Sequence, residues 1–311
     1  PEQILKTRGW QGHVFVAEHL GSVRFFQQKG EGDQKPTRGR AMEVNRFPSD
    51  IYGKGPMYDI GPLGLVFANP TTLIVGDGSR VDGEELVRAY SVGTEPAEKP
   101  AREDSATSTT GPITAGDLSA KGEGNFYGVA ISGNALFVTC NGDDTKGWIS
   151  RAEIKDGKLG ELKPFIATKE LLGVDAPVGI TVNKAGDLVV SQMGEMNVPG
   201  DSLLTIYDAK TGALKAKYET GLHDIAGLAY SPATGKLYCV DFAWSDTTQG
   251  GLFELIIEGD KCATRKVLSL DKPTAIAFDP QGHAFITVFG TAVEGEKTKP
   301  GMVFRVAKNK L

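Results

Sequence analysis

Asp175-Ala-Pro-Val-Gly-Ile-Thr-Val-Asn-Lys-Ala-Gly-Asp-Leu-Val-Val-Ser191 reads as a short apolar strand, an Asn/Gly turn and a second short apolar strand. Nearly the same phrase returns at Asp271-Lys-Pro-Thr-Ala-Ile-Ala-Phe-Asp-Pro-Gln-Gly-His-Ala-Phe-Ile-Thr287. Looser copies stand at Gly61–Phe67, Phe126–Ile131 and Ile225–Tyr230. Self-similarity at this spacing belongs to stacked or radial arrays. Anchored on the first-strand Gly or Ala, the units begin at 64, 128, 179, 227 and 275, at intervals of 64, 51, 48 and 48.

Each unit holds up to four short apolar or alternating runs. The fourth reads Val178–Val182, Asp187–Gln192, Ser202–Asp208 and Ala213–Glu219, and the fifth follows the same plan. Upstream, His13–Glu18 and Ser22–Phe26 form a hairpin, which brings the count of units to six. The last unit stops a strand short. Gln3–Thr7 makes a poor inner strand, because Lys6 and Arg8 fall where other units carry apolar residues, and it is expected to complete the last unit and close a ring. Residues 94–110 are rich in Pro, Ala, Glu, Ser and Thr and read as an exposed insertion, since the repeat resumes after them. Four antiparallel strands per unit of about 50 residues, repeated around a ring, predict an all-β, six-bladed β-propeller, one domain over residues 1–311.

Composition narrows the function. A net charge of −5 and only isolated basic segments (Lys35–Arg40, Lys308–Lys310) argue against a nucleic-acid partner. No apolar run reaches the ~18 residues of a membrane-spanning helix, so a soluble chain with no membrane span is expected. The 40 glycines suit many tight turns between short strands. Cys140, Cys239 and Cys262 show no CxxC or Cys/His spacing, which argues against a structural zinc site. The chain opens at Pro1 without Met, as a cleaved leader or a trimmed chain would; a periplasmic or secreted location is the expectation.

Units of the form Pro-x-Gly-Ile-x-Val-(Asn/Asp)-x-x-Gly-x-(Leu/Phe)-(Val/Ile)-(Val/Thr) resemble those of NHL-repeat and SMP-30/gluconolactonase-type six-bladed propellers, at the level of blade architecture. The resemblance to the gluconolactonase type implies a metal held in the channel by carboxylate and Asn side chains, some just before an inner-strand Gly. The corresponding positions here are Leu63, Tyr127, Val178, Ala226 and Thr274. None is a carboxylate or Asn, so calcium-dependent lactonase chemistry is not carried over. A divalent cation such as calcium would have to sit higher, among rim residues.

In a propeller the loops leading into the inner strands and those joining second to third strands open on one face. The second-to-third loops carry Glu18 and His19, Asp77, Asn141 with Asp143 and Asp144, Met193 with Glu195, and Phe242 with Trp244, after Asp241 at the end of its strand. The lead-ins carry Asp59, Asn125, Asp175, His223, Asp224 and Asp271. One face should therefore be acidic. Two accounts of the carboxylates stand open: oxygens holding a divalent cation against a small substrate, or Asp and Asn making turns through their own side chains. His19 and His223 fall on this face and are the better candidates for a general base, although no Gly-x-Ser-x-Gly elbow accompanies them. Tyr127, Phe242 and Trp244 with Met193 could form an apolar floor for a sugar ring or a peptide side chain, or Tyr127 and Phe242 could plug the channel. The candidate ligand-binding set is Glu18, His19, Asp77, Tyr127, Asn141, Asp143, Glu195, His223, Asp224, Asp241 and Trp244. It fits a propeller binding a small molecule or protein on this face. A metal-assisted hydrolase of lactones or sugars and a non-catalytic scaffold are the alternatives.

Overall fold

A computed structural model describes residues 2–8, 13–18, 22–26, 41–52, 58–93, 97–142, 145–291 and 301–311. Six small sheets, mainly antiparallel, form a six-bladed β-propeller. The inner strands are Glu2–Arg8, Leu65–Asn69, Val129–Ser132, Pro177–Val182, Ile225–Tyr230 and Pro273–Phe278, which number blades 1 to 6. Each inner strand packs against the next, and the first packs against the sixth, which closes the ring.

The anchor Gly of the repeat has a physical cause in that ring. A Cβ on Gly179 would stand 3.0 Å from the Gly227 Cα, and one on Gly227 would stand 3.0 Å from the Ala275 Cα. A Cβ on Gly128 would overlap the Val178 carbonyl oxygen. Neighbouring inner strands therefore pass backbone to backbone, and only the smallest side chains fit. The pairing register shifts at the anchor in blades 4, 5 and 6. Such a bulge frees ladder groups, and in blade 4 a hydroxyl on the second strand takes one up, Gly179 N–H donating to Ser191 Oγ at 3.0 Å; in blade 3 the anchor Gly128 N–H likewise donates to Thr139 Oγ1 at 2.7 Å. The apolar cores lie between successive blades, as in the cluster of Phe137, Ile149, Ile180, Leu188 and Tyr207 joining blades 3 and 4.

The N-terminal strand departs from expectation. Glu2–Arg8 pairs with His13–Glu18 and is the inner strand of blade 1; it does not complete blade 6, whose sheet holds three strands among the described residues. A hairpin partner a few residues away carries a far smaller closure cost than one at the other end of the chain, and that outweighs Lys6 and Arg8. The 94–110 stretch is also more than an exposed insertion. Ala101–Arg102 pairs in parallel with Ala41–Asn45 of blade 1, and Ser108–Thr110 is the outer strand of blade 2. A short ribbon, Asp50–Tyr52 with Tyr58–Ile60, lies between blades 1 and 2 and carries Asp59. No helix among the described residues is long and apolar enough to cross a membrane.

Candidate functional site

Two positions of the repeat build a cup at one end of the channel. The first is the residue just before the anchor: Leu63, Tyr127, Val178, Ala226 and Thr274 all line it. The second is the residue that follows the second strand: Asn141, Met193, Phe242 and Phe289. Backbone bonds hold the second set to the lead-in of its own blade. Met193 N–H donates to Ala176 O at 2.7 Å, Phe242 N–H to Asp224 O at 2.9 Å, and Phe289 N–H to Lys272 O at 2.8 Å. Ala176 (φ 56°) and Lys272 (φ 57°) sit in the left-handed region, which turns the chain sharply into the inner strand. Asp59, Ile60, Asn125 and Trp244 complete the cup, whose volume is about 90 Å³.

Tyr127 is the floor. From blade 3 its hydroxyl crosses the channel to donate to Thr274 O of blade 6 at 2.8 Å. Below it a second cavity of about 410 Å³ runs along the inner strands, so Tyr127 divides the channel. Burial pushes its phenol well above the usual range. The plug and the floor are thus one side chain.

The aromatic wall belongs to blades 5 and 6. Phe242 and Trp244 stack with centroids 4.2 Å apart and planes at 27°, and Phe289 meets Phe242 edge-on at 6.3 Å and 69°. Ala243, at φ 53°, folds the chain back between the stacked pair. Asp224 Oδ2 then accepts the Trp244 N–H at 2.7 Å. Asp241 supports this turn from below, accepting Asp224 N–H at 2.7 Å and His223 N–H at 3.1 Å. Asp224 is 1% exposed, and its Oδ1 has no hydrogen-bond partner. Burial, against the pull of the Trp244 N–H and helped by Asp241 and Asp201, pushes its carboxyl up to about 7. Across the cup, Glu85 Oε2 accepts the N–H of Asn125, which is itself left-handed at φ 48°. Burial, opposed by that bond and reinforced by Asp77 and Asp82, pushes Glu85 up to about 9.

The predicted residues divide accordingly. Tyr127, Asn141 and Trp244 meet in the cup, with Asp224 and Asp241 behind the aromatic wall. Glu195 lines an adjoining groove of about 390 Å³ that shares Asn141 and Met193 with the cup and also holds Asp175 and Lys169, ion-paired at 2.6 Å. His223 has a buried Nδ1 without a hydrogen-bond partner. Asp77 is elsewhere in function: fully buried, it binds Arg80 and Arg88 at 2.5 and 2.7 Å and accepts Ser79 N–H at 2.9 Å. It is therefore a structural ion-pair centre of blade 2 and not a cup residue. Glu18 closes the second strand of blade 1, opposite Glu2 and Ser22. His19 and Asp143 lie outside the described residues. Phe289 is a cup residue absent from the candidate set; its signal is its place in the sixth repeat, equivalent to Phe242. Among the described residues no group of three or more His, Cys, Asp or Glu side chains is arranged to hold a metal ion.

No family model and no curated protein sequence matches the chain. Solved structures match it at low identity. A Thermus thermophilus protein described as an oxidoreductase (glucose dehydrogenase) aligns at 17% identity over 98% of this chain and 96% of that one, with a TM-score of 0.61. A luciferin-regenerating enzyme aligns at 11% over 98% and 90%, with a TM-score of 0.57. Kuenenia stuttgartiensis hydrazine synthase aligns at 14% over 81% of this chain, with a TM-score of 0.53, and this chain spans 64% of that one. These likenesses define the six-bladed propeller class.

Proposed function

We propose that the chain is a small-molecule-binding propeller of NHL/SMP-30 type, its ligand placing an apolar group in the cup and extending along the groove of blade 4. The observation that carries this reading is the convergence of Asn141, Met193, Phe242 and Phe289, one repeat position in four consecutive blades, over a floor closed by Tyr127. Predominantly apolar concavities with a few placed polar groups are the common form of ligand sites. Asn125 and Asn141 supply amide groups for orientation, and the Phe242–Trp244 stack supplies a rigid apolar face. Binding is favoured over rim-metal hydrolysis because apolar side chains dominate the cup, with Asp59 its one carboxylate among the described residues. The blade repeat supports the NHL/SMP-30 assignment.

The test is a ligand-observed NMR screen of a fragment library against the wild-type chain and the Trp244→Ala variant. Ring-bearing or branched aliphatic fragments are expected to bind the wild type and lose their signal with the variant. Hits indifferent to Trp244→Ala, or a library without hits, would sink the proposal.

A further inference from the structure

We infer that the group seated in the cup is a methylated ammonium, so that the ligand is an N-methylated cationic small molecule; this rests on the binding role proposed above. Three features of the cup carry it together.

The first is the ring arrangement. The Phe242–Trp244 stack and the Phe289 ring, turned 69° from Phe242, line one small space above the Tyr127 floor. Aromatic faces are the negative ends of ring quadrupoles, and the stack leaves each of Phe242 and Trp244 one outer face on which a cation can be held.

The second is the sign of the charge. Asp59 is the one charged side chain lining the cup among the described residues, and no Lys or Arg lines it there. Asp241 stands one layer behind the aromatic wall, accepting the Asp224 N–H, and the chain carries a net charge of −5. An anionic group would meet no counter-charge in the cup and would lose its hydration. A cation has Asp59 as counter-charge in a cup that is otherwise lined by neutral and aromatic side chains.

The third is size and polarity. At about 90 Å³ the cup is less than a quarter the volume of the neighbouring groove. That suits a compact branched head and leaves the rest of the ligand to the 390 Å³ groove. A primary ammonium carries three N–H donors and needs an acceptor for each. The walls, mostly Leu63, Val178, Met193, Ala226 and the rings, offer few. Methylation removes the donors while keeping the charge, which matches apolar walls in a negative field.

The experiment compares choline with 3,3-dimethyl-1-butanol, which has the same shape without the charge, by isothermal titration calorimetry on the full chain. Choline is expected to bind about tenfold tighter, the worth of a partly desolvated cation–π contact. Trp244→Leu keeps an apolar wall but removes the ring, and should reduce that preference to about threefold or less. Asp59→Asn keeps the side-chain shape at an exposed position and removes the charge, and should weaken choline severalfold more than it weakens the alcohol. Equal affinities, or tighter binding of the alcohol, would overturn the cationic assignment and leave the binding cup standing. Failure of both probes while other fragments bind in a Trp244-dependent way would overturn it equally. A chain that binds neither the probes nor any fragment loses the binding role as well.

Discussion

Asp224→Asn should raise the stability of this protein at neutral and alkaline pH, and by an amount that depends on pH in a defined way. The wild-type carboxyl is 1% exposed and pushed from an ordinary 3.8 up to about 7, chiefly by burial. The folded state therefore holds this proton across a range in which the unfolded chain has released it. Stability falls with rising pH wherever the native state binds more protons. The contribution of Asp224 is thus most favourable below pH ~4, erodes between ~4 and ~7, and is lost above ~7. At about 1.4 kcal/mol per pH unit the ceiling is roughly 4 kcal/mol, and screening by solvent reaching the rim brings it to about 2–3 kcal/mol. An Asn has no charge to desolvate, can keep the acceptor for Trp244 N–H, and presents an NH₂ where Oδ1 now lacks a partner. Guanidinium chloride unfolding, followed by fluorescence from pH 4.5 to 8.5, reads the difference between variant and wild type. The difference should start near zero, climb through the window and level off above pH ~7. A flat difference, or a variant less stable than wild type at pH 8, would refute the reasoning.

Two other perturbations test the scaffold. Arg88→Met strips the buried Asp77 of one of its two guanidinium partners and leaves Glu103 with Arg80. Breaking a buried pair costs about 3–5 kcal/mol, which should lower the thermal midpoint by about 6 °C or more for a chain of this length; a shift below ~1 °C by circular dichroism would show that blade 2 does not depend on the pair. Gly128→Ala forces a methyl against the Val178 carbonyl between inner strands and should cost about 1–3 kcal/mol. Gly116→Ala, which meets only open space, should stay within about 0.5 kcal/mol. Indistinguishable melting curves for the two alanine variants would count against close inter-blade packing as the reason for the anchor Gly.

The architecture was legible because its cause is local and repeated. The Gly or Ala at 64, 128, 179, 227 and 275 marks where backbones pass closely, and the apolar runs on either side of an Asn/Gly turn mark paired strands. What escaped was set by contacts between distant segments. Ser108–Thr110 looks like loop in composition, yet Val87–Ser91 offers it an edge to pair with. Lys6 and Arg8 argue against an inner strand, but strand pairing with His13–Glu18 outweighs that local signal. Among candidate site residues, Asp77 could not be separated from the cup by pattern. It occupies the same repeat position as Asn141, Met193, Phe242 and Phe289, and only the arrival of Arg88 from the next strand turns it into an ion-pair centre. Phe289 was hidden for the opposite reason, since an apolar residue at the end of a strand reads as core.

That one position also explains why the cup has a direction. With Asp77 committed to its arginines, the position in blades 3 to 6 is polar at Asn141 and apolar from Met193 through Phe242 to Phe289. Asn125 adds to the polar side, held in its left-handed turn by Glu85, whose raised pKa of about 9 keeps it protonated at neutral pH. Trp244 adds to the apolar side, held by Asp224. Each side of the cup is thus oriented by a buried carboxyl group that binds a backbone N–H one layer out. Under the proposed binding role, a ligand with one apolar or cationic end and one hydrogen-bonding end would lie with its head against blades 5 and 6 and its remainder past Asn141 in the groove of blade 4. A symmetric ring of identical blades could not impose that orientation; it arises from the divergence of two repeat positions on a backbone that stays regular.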